Sequence, residues 1–368
     1  MLGGGARLFR LSNPREAMRA REIRNSTLSG RLTENDNVDP DVLRFLLDPQ
    51  SYGTGVEFVH LVESHMSLVF LAGDRAYKMK KPIAFDDLDF RSLDARHANC
   101  ERELGLNRVL SPDIYLGLKP VIRDSKGRLH LGGTGEIVEW LVVMRRLNEE
   151  RLLDHAIAEG SVTREDVENL IEALGRLYSR PLKNPPSRAE VLPAWAAMLE
   201  RTARSLRRPD FGLPQDRVEE VLAELRRFLD ESSEMILERV DAGWIRDCHG
   251  DLRPQHVYLG PPLRLIDRLE FDERLRKRDP FEEIMDFGLE CERMGAAWIL
   301  PMLLDGLEAC LGCRPDVRLL GFYAGMRASL RARFAIEHIG SERGSPAGWR
   351  ERAMASLDLA RKHAFRQS

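Results

Sequence analysis

Residues 248–259, CHGDLRPQHVYL, place His249 two positions before Asp251 and His256 five positions after it, just ahead of an apolar run. Sixteen residues beyond Asp251, Asp267 closes the stretch LRLID. An aspartate on a loop can act as a base toward a nucleophilic hydroxyl. A strand-end aspartate can hold a hard divalent cation through oxygen. If one short hairpin starts near Asp251 and ends at Asp267, both carboxylates can face one cleft.

Far upstream, Lys78 lies in AYKMK, which reads as a strand, and residues 92–110 read as a helix that offers Glu101 and Glu103. A strand lysine paired with a helical glutamate is the arrangement by which kinases fix the phosphates of a nucleotide. Each piece alone is ordinary. Strand lysines and helical glutamates usually face solvent, and an aspartate after a strand usually forms a turn. The order is what carries meaning: strand Lys, helix Glu, a distant H-x-D loop, then a strand-end Asp.

The elements that must position these residues fall into two textures. DPDVLRFLLDPQSY (39–52) reads as one short helix ended by Pro49. About five antiparallel strands follow, with Gly73-Asp74 as a tight turn between SLVFLAG and RAYKMKK and with the helix 92–110 inserted after the third. The helix pattern rests on Leu93, Cys100 and Leu104. From residue 149 the pattern is helical, with Thr163 and Asp166 spaced for a capping box and one β-like interruption at 256–272. The expected fold class is α+β, a small β-rich N-lobe over 39–147 and a larger helical C-lobe over 148–368 that carries a catalytic hairpin. Residues 1–31 hold seven arginines and two acids, and 1–38 is expected to be a disordered tail.

Length and composition agree with a two-lobed globular chain. It has 368 residues, 43% hydrophobic and 31% charged. A net charge of −3 gives no reason to expect nucleic acid or membrane as a partner, and no run approaches a membrane span. Five scattered cysteines suit thiols in a reducing compartment, so a cytoplasmic protein is expected. Nothing in the sequence reports the oligomeric state.

Longer phrases carry a resemblance. VFLAGDRAYKMKKPIAFDDLDF, CERELGLNRVLSPDIYLGL, VMRRLNEERLLD, CHGDLRPQHVYL, LIDRLEFDERLRKRDPFEEIMDFG and FYAGMRASLRARF are similar to the aminoglycoside phosphotransferase family, within the protein-kinase-like fold. The nearest likeness is to a largely uncharacterised bacterial subgroup, some of whose members are fused to a P-loop domain. The resemblance covers about residues 55–340. No G-x-x-x-x-G-K-[ST] occurs in the sequence, so no P-loop domain is expected within it and any phosphate site is of the kinase kind.

The resemblance implies ATP and Mg²⁺ as cofactors and roles for single residues. Asp251 is the base of a catalytic loop that includes His249, with His249 and Asp286 as supports rather than reactants. Asp267 ligates Mg²⁺. Lys78 contacts the phosphates and Glu103, more than Glu101, holds it. The turn Ser64-His65-Met66-Ser67 lies over the phosphates, with Ser67 among the nucleotide contacts. The backbone near Met144, Arg145 and Arg146 reads the adenine edge. The family carries asparagine where this chain has His256. An imidazole at that metal position suits Mn²⁺ or Zn²⁺ better than Mg²⁺. The turn over the phosphates also lacks glycine.

The expected activity is ATP-dependent transfer of the γ-phosphoryl group to a hydroxyl of a small molecule. The alternative, favoured by His256, is a pseudokinase that binds nucleotide or acts as a scaffold without turnover. Three further signals weigh little. Cys310 and Cys313 read as a helix end rather than a metal site. Arg327, Arg331 and Arg333 read as a solvated or structural face, with an anionic substrate as the alternative. Glu282, Glu283, Glu290 and Glu292 read as a solvated face, with a cationic substrate as the alternative.

Overall fold

The computed structural model describes residues 37–85, 88–339 and 345–364. The tail expected over 1–38 therefore lies outside the described residues except at its end. There Val38 is buried against Val42, Leu43 and Leu46, so the packed core reaches the last residue of that segment. The chain divides into two compact units at Asn148/Glu149.

The first unit opens with helix α1 (Pro40–Leu47), whose N-cap Asp39 accepts from the Asp41 amide at 2.8 Å. The helix stops at Leu47. Asp48 precedes Pro49, and a residue before proline avoids the helical region; Asp48 is extended (ψ 118°) and caps a 3₁₀ turn over Pro49–Tyr52. The single helix expected over 39–52 is thus two pieces.

Strands β1 (Val59–Glu63), β2 (Ser67–Ala72) and β3 (Arg75–Lys80) form a meander. A ribbon, β4 (Ala84–Phe85) and β5 (Leu88–Asp89), leads into helix α2 (Leu93–Arg108). Strands β6 (Tyr115–Arg123), β7 (Leu129–Leu131) and β8 (Glu136–Arg145) complete one six-stranded antiparallel sheet in the order β1-β2-β3-β8-β6-β7. The sheet has six strands where about five were expected, and β7, in the stretch RLHLGG after the turn at 125–127, pairs along the edge of β6. Pairing of Ala72 with Arg75 leaves Gly73-Asp74 as the two-residue turn, with Gly73 at φ +57°.

Alternation decides which side chains meet which layer. On β3, Tyr77 and Met79 join the core formed with α1, alongside Leu68, Phe70 and Leu141. Lys78 and Lys80 therefore point to the other face. Helix α2 buries a polar stripe there, Arg96, Asn99, Glu103 and Asn107. Leu93 and Leu104, which suggested the helix, are only half-buried.

The second unit is helical: α3 (Leu153–Ala158), α4 (Arg164–Tyr178), α5 (Arg188–Leu206), α6 (Gln215–Ser232), α7 (Glu234–Asp241), α8 (Pro280–Arg293), α9 (Ile299–Leu311), α10 (Val317–Glu337) and α11 (Pro346–Ala364). Thr163 and Asp166 form the capping box of α4 through both reciprocal bonds. Two short ribbons interrupt the helices where one hairpin was expected. Strand β9 (Arg246–Asp247) pairs with β12 (Lys277–Arg278), and β10 (Val257–Tyr258) pairs with β11 (Arg264–Leu265). Among the described residues no helix is long and apolar enough to cross a membrane.

Candidate active site

In the first unit, Lys78 Nζ lies 2.8 Å from Glu103 Oε1 and Lys80 Nζ lies 2.5 Å from Glu103 Oε2. The carboxylate is fully buried, so two ammonium groups offset the cost of desolvating it. Position explains the pairing. Lys78 and Lys80 are two apart on a strand and share a face, and Glu103 lies on the buried stripe of α2. Asn107 Nδ2 donates to the Glu103 carbonyl at 3.0 Å, and Arg96 Nε donates to Glu139 on β8 at 2.9 Å, which ties the helix to the sheet. Glu101, the less favoured sequence candidate, is exposed and faces away from this pair.

The other nucleotide candidates sit at the sheet's turns and edges. Ser67 begins β2 and is buried, and the turn before it closes through the Ser67 amide, which donates to Ser64 Oγ at 3.0 Å. Met144 lies in the ladder between Ala76 and Tyr115. The Arg145 amide donates to the Ile114 carbonyl and the Arg146 amide to the Asp74 carbonyl, each at 2.9 Å. These two donors are spent inside the first unit. A cavity of 770 Å³, lined by Tyr52, Tyr77, Lys119 and His130 among others, opens on the sheet face opposite Lys78.

In the second unit, β9 delivers the chain into the loop at 248–256. Gly250 has φ +89°, and a Cβ there would stand 2.8 Å from Arg276 Cγ and 3.0 Å from Leu269 Cβ. Glycine is thus required between His249 and Asp251 both by the backbone conformation and by space. The loop is stitched to the segment that carries Asp267: His249 Nε2 donates to the Ile266 carbonyl at 2.9 Å, and the Leu269 amide donates to the His249 carbonyl at 3.1 Å. His249 is wholly buried, and burial pushes its imidazole down to about 3, so the ring is neutral and closed off from solvent.

Helix α8 holds the same loop from below. Glu283 accepts from the Gly250 amide at 2.6 Å, the His249 amide at 3.0 Å and Tyr178 Oη at 2.8 Å. This corrects the expectation for Asp286, which instead pairs with Arg331 Nε at 2.6 Å. The expectation of a solvated acidic face also fails. Glu282 pairs with Arg327, Glu290 with Arg331 at 2.8 Å, and Glu292 with His363 at 2.7 Å. Arg327 and Arg331 of α10 thus pair with acids of α8, whereas Arg333 pairs with Glu337 on its own helix.

Asp251 itself is part-buried and accepts from Arg253 Nε at 2.7 Å. Burial pushes its carboxyl up, but Arg253 and His256 outweigh that and hold it below the usual carboxylate range. Asp267 adopts a left-handed backbone (φ +59°), uncommon for a non-glycine residue and frequent where a side chain is aimed for function. His256 bridges the two aspartates: its Nδ1 lies 2.8 Å from the Asp251 carbonyl oxygen and its Nε2 3.6 Å from Asp267 Oδ2. The second unit thus brings Asp251, His256 and Asp267 together, with His249 behind them.

Sequence reasoning missed Arg253, Lys80 and Tyr178, and read Glu283 only as part of an acidic face. The adjacent acids Glu282-Glu283 in the apolar stretch PFEEIMDFGL were a usable signal, since an acid among such neighbours is either paired or costly.

No family model matches the chain. Uncharacterized proteins of Mycobacterium bovis and Mycobacterium tuberculosis are 28% identical over 314 residues, covering 84% of this chain and 60% of theirs. The chain therefore spans about three-fifths of the length of the curated relatives it matches. Among solved structures, a choline/ethanolamine kinase family protein from Mesorhizobium loti aligns with TM-score 0.49 and 15% identity, covering 92% of this chain and 97% of that one. An aminoglycoside phosphotransferase from Streptomyces rimosus aligns with TM-score 0.46 and 20% identity, covering 79% of this chain and 98% of that one.

The fold is α+β, as expected. An antiparallel sheet carries one inserted helix whose glutamate meets the lysine of the third strand, and a helical unit follows with two short ribbons around an H-x-D loop. In the second unit two side chains could hold a divalent cation. Asp267 presents a carboxylate half open to solvent, and His256 presents a ring nitrogen toward it.

Proposed function

We propose that the chain is an ATP-dependent phosphotransferase that moves the γ-phosphoryl group to a hydroxyl of a small molecule. The observation that supports this reading best is the loop in the second unit. An ionised Asp251 sits on a backbone anchored by Glu283, beside Asp267 in a left-handed conformation.

Phosphoryl transfer needs positioning and charge neutralisation more than covalent chemistry. In this reading Asp251 orients the acceptor hydroxyl and takes its proton. Its low basicity is tolerable because a loose transition state withdraws little of that proton early. Lys78 neutralises nucleotide phosphates while Glu103 keeps its ammonium aimed. Asp267 would hold a divalent cation, which would supply further neutralisation of those phosphates. ATP use and Mg²⁺ are parts of this proposal, as is the hydroxyl acceptor.

One observation favours a second reading, a nucleotide-binding pseudokinase. Arg253 occupies an oxygen of Asp251 at 2.7 Å, and a base held by a guanidinium must exchange that partner for substrate. The test is ATP consumption over a panel of hydroxylated metabolites, amino alcohols and aminoglycosides, with Mg²⁺ and with Mn²⁺. Substrate-dependent turnover supports the enzyme. Nucleotide binding without turnover on any acceptor supports the pseudokinase, and absence of nucleotide binding removes both.

A further inference from the structure

We infer that His256 and Asp267 form a mixed nitrogen–oxygen cation site that favours a first-row transition ion such as Mn²⁺ over Mg²⁺; the inference rests on the phosphotransferase reading above. The tautomer of His256 carries the argument. Its Nδ1 lies 2.8 Å from the backbone oxygen of Asp251. A carbonyl oxygen only accepts, so Nδ1 bears the proton, and in the neutral ring the lone pair is on Nε2. That nitrogen lies 3.6 Å from Asp267 Oδ2, beyond hydrogen-bond reach of it.

The spacing suits a shared ion. Two ligand atoms about 2.1–2.2 Å from a metal and about 90–115° apart stand roughly 3.0–3.6 Å from each other. Both residues are also set in place by the same short backbone pairing, because the Ile266 amide, next to Asp267, donates to the His256 carbonyl at 3.0 Å. The bond from Nδ1 fixes the ring's orientation, the role that the non-ligating nitrogen plays in histidine metal sites. Among the described residues no three His, Cys, Asp or Glu side chains gather as a metal site. Two protein ligands suffice where phosphate oxygens and water complete the shell. Mg²⁺ demands oxygen and dehydrates reluctantly, whereas imidazole raises affinity along the transition series. Asp267 then supplies charge and His256 supplies selectivity.

The experiment uses the full chain with its histidines labelled with ¹⁵N, loaded with Mn²⁺ and ADP, and read by pulsed electron paramagnetic resonance. The wild type is expected to show ¹⁵N hyperfine coupling from one directly bound imidazole, and H256N to lose it. Competition with Mg²⁺ should show the Mn²⁺ preference falling on the order of tenfold in H256N, the scale of changes at metal-site residues. Circular dichroism checks that H256N is folded, and H256Q replaces it if it is not. Mn²⁺ and ADP bound through Asp267 with no ¹⁵N coupling would overturn the inference and leave the phosphotransferase reading standing. Failure of Mn²⁺ and ADP to bind at all would overturn both.

Discussion

Glu283 Oε1 lies 2.6 Å from the amide nitrogen of Gly250, so a carboxylate on one helix fixes the backbone one residue before Asp251. The same side chain takes the His249 amide and the Tyr178 hydroxyl, which couples α4, α8 and the loop through one buried charge. Replacing Glu283 by alanine strands two buried amides and a hydroxyl. Each such loss costs about 1–3 kcal/mol, so a drop of about 3 kcal/mol or more is expected in urea unfolding. Glu283→Gln should recover only part of it, since its amide nitrogen cannot accept. Wild-type stability in Glu283→Ala would show that these bonds contribute nothing net.

Asp251→Asn should reduce phosphoryl transfer by about 10²–10⁴-fold, the range for loss of a positioned base. Nucleotide affinity, measured calorimetrically, should hardly change. Full turnover in this variant on an identified acceptor would remove Asp251 from the role of base.

The paired lysines predict a non-additive cycle. In Lys78→Met, Lys80 still faces Glu103, so stability should fall by about 1 kcal/mol while nucleotide binding weakens. Lys78→Met with Lys80→Met removes both lysine partners of a fully buried carboxylate. A loss of about 3–5 kcal/mol, well above the sum of the singles, is expected. Additive losses in denaturant titrations would mean that the two lysines do not share the burden.

Acid should expose the network behind the loop. Burial pushes the Glu290 carboxyl up, but Arg331 and Arg293 outweigh it and bring it down to about 2. A depressed carboxyl contributes stability that is fully present above its unfolded value near ~4.3 and is lost as pH falls toward the folded value. Between pH 6 and pH 3 this group should account for about 1–2 kcal/mol of the loss. Glu290→Gln should show a correspondingly shallower decline over that interval, and equal slopes in urea titrations would refute the assignment.

Much of the chemistry was legible along the chain because it is local. The H-G-D loop, the strand-end Asp267 and the turn at Gly73-Asp74 are short-range patterns, and alternation on β3 already puts Lys78 and Tyr77 on opposite faces. Helix 93–108 was found partly for the wrong reason: of Leu93, Cys100 and Leu104, which suggested it, only Cys100 is buried, and the rest of its buried stripe is polar. That stripe is invisible to apolar periodicity, since an arginine and a glutamate buried against partners look like surface residues until the partners are known.

The tertiary structure decided which charges neutralise which. Glu283 and Gly250 are 33 residues apart, Glu103 and Lys78 are 25 apart, and Glu282 and Arg327 are 45 apart. No local rule pairs such positions, because a carboxylate in a helix looks alike whether it meets water or an arginine from another helix. The sequence by itself determined the two textures, the loop and which residues are candidates for its chemistry. Packing of α8 against α10 and the loop decided that Glu283, not Asp286, holds that loop, since burying a charge is tolerable only where folding brings donors to it.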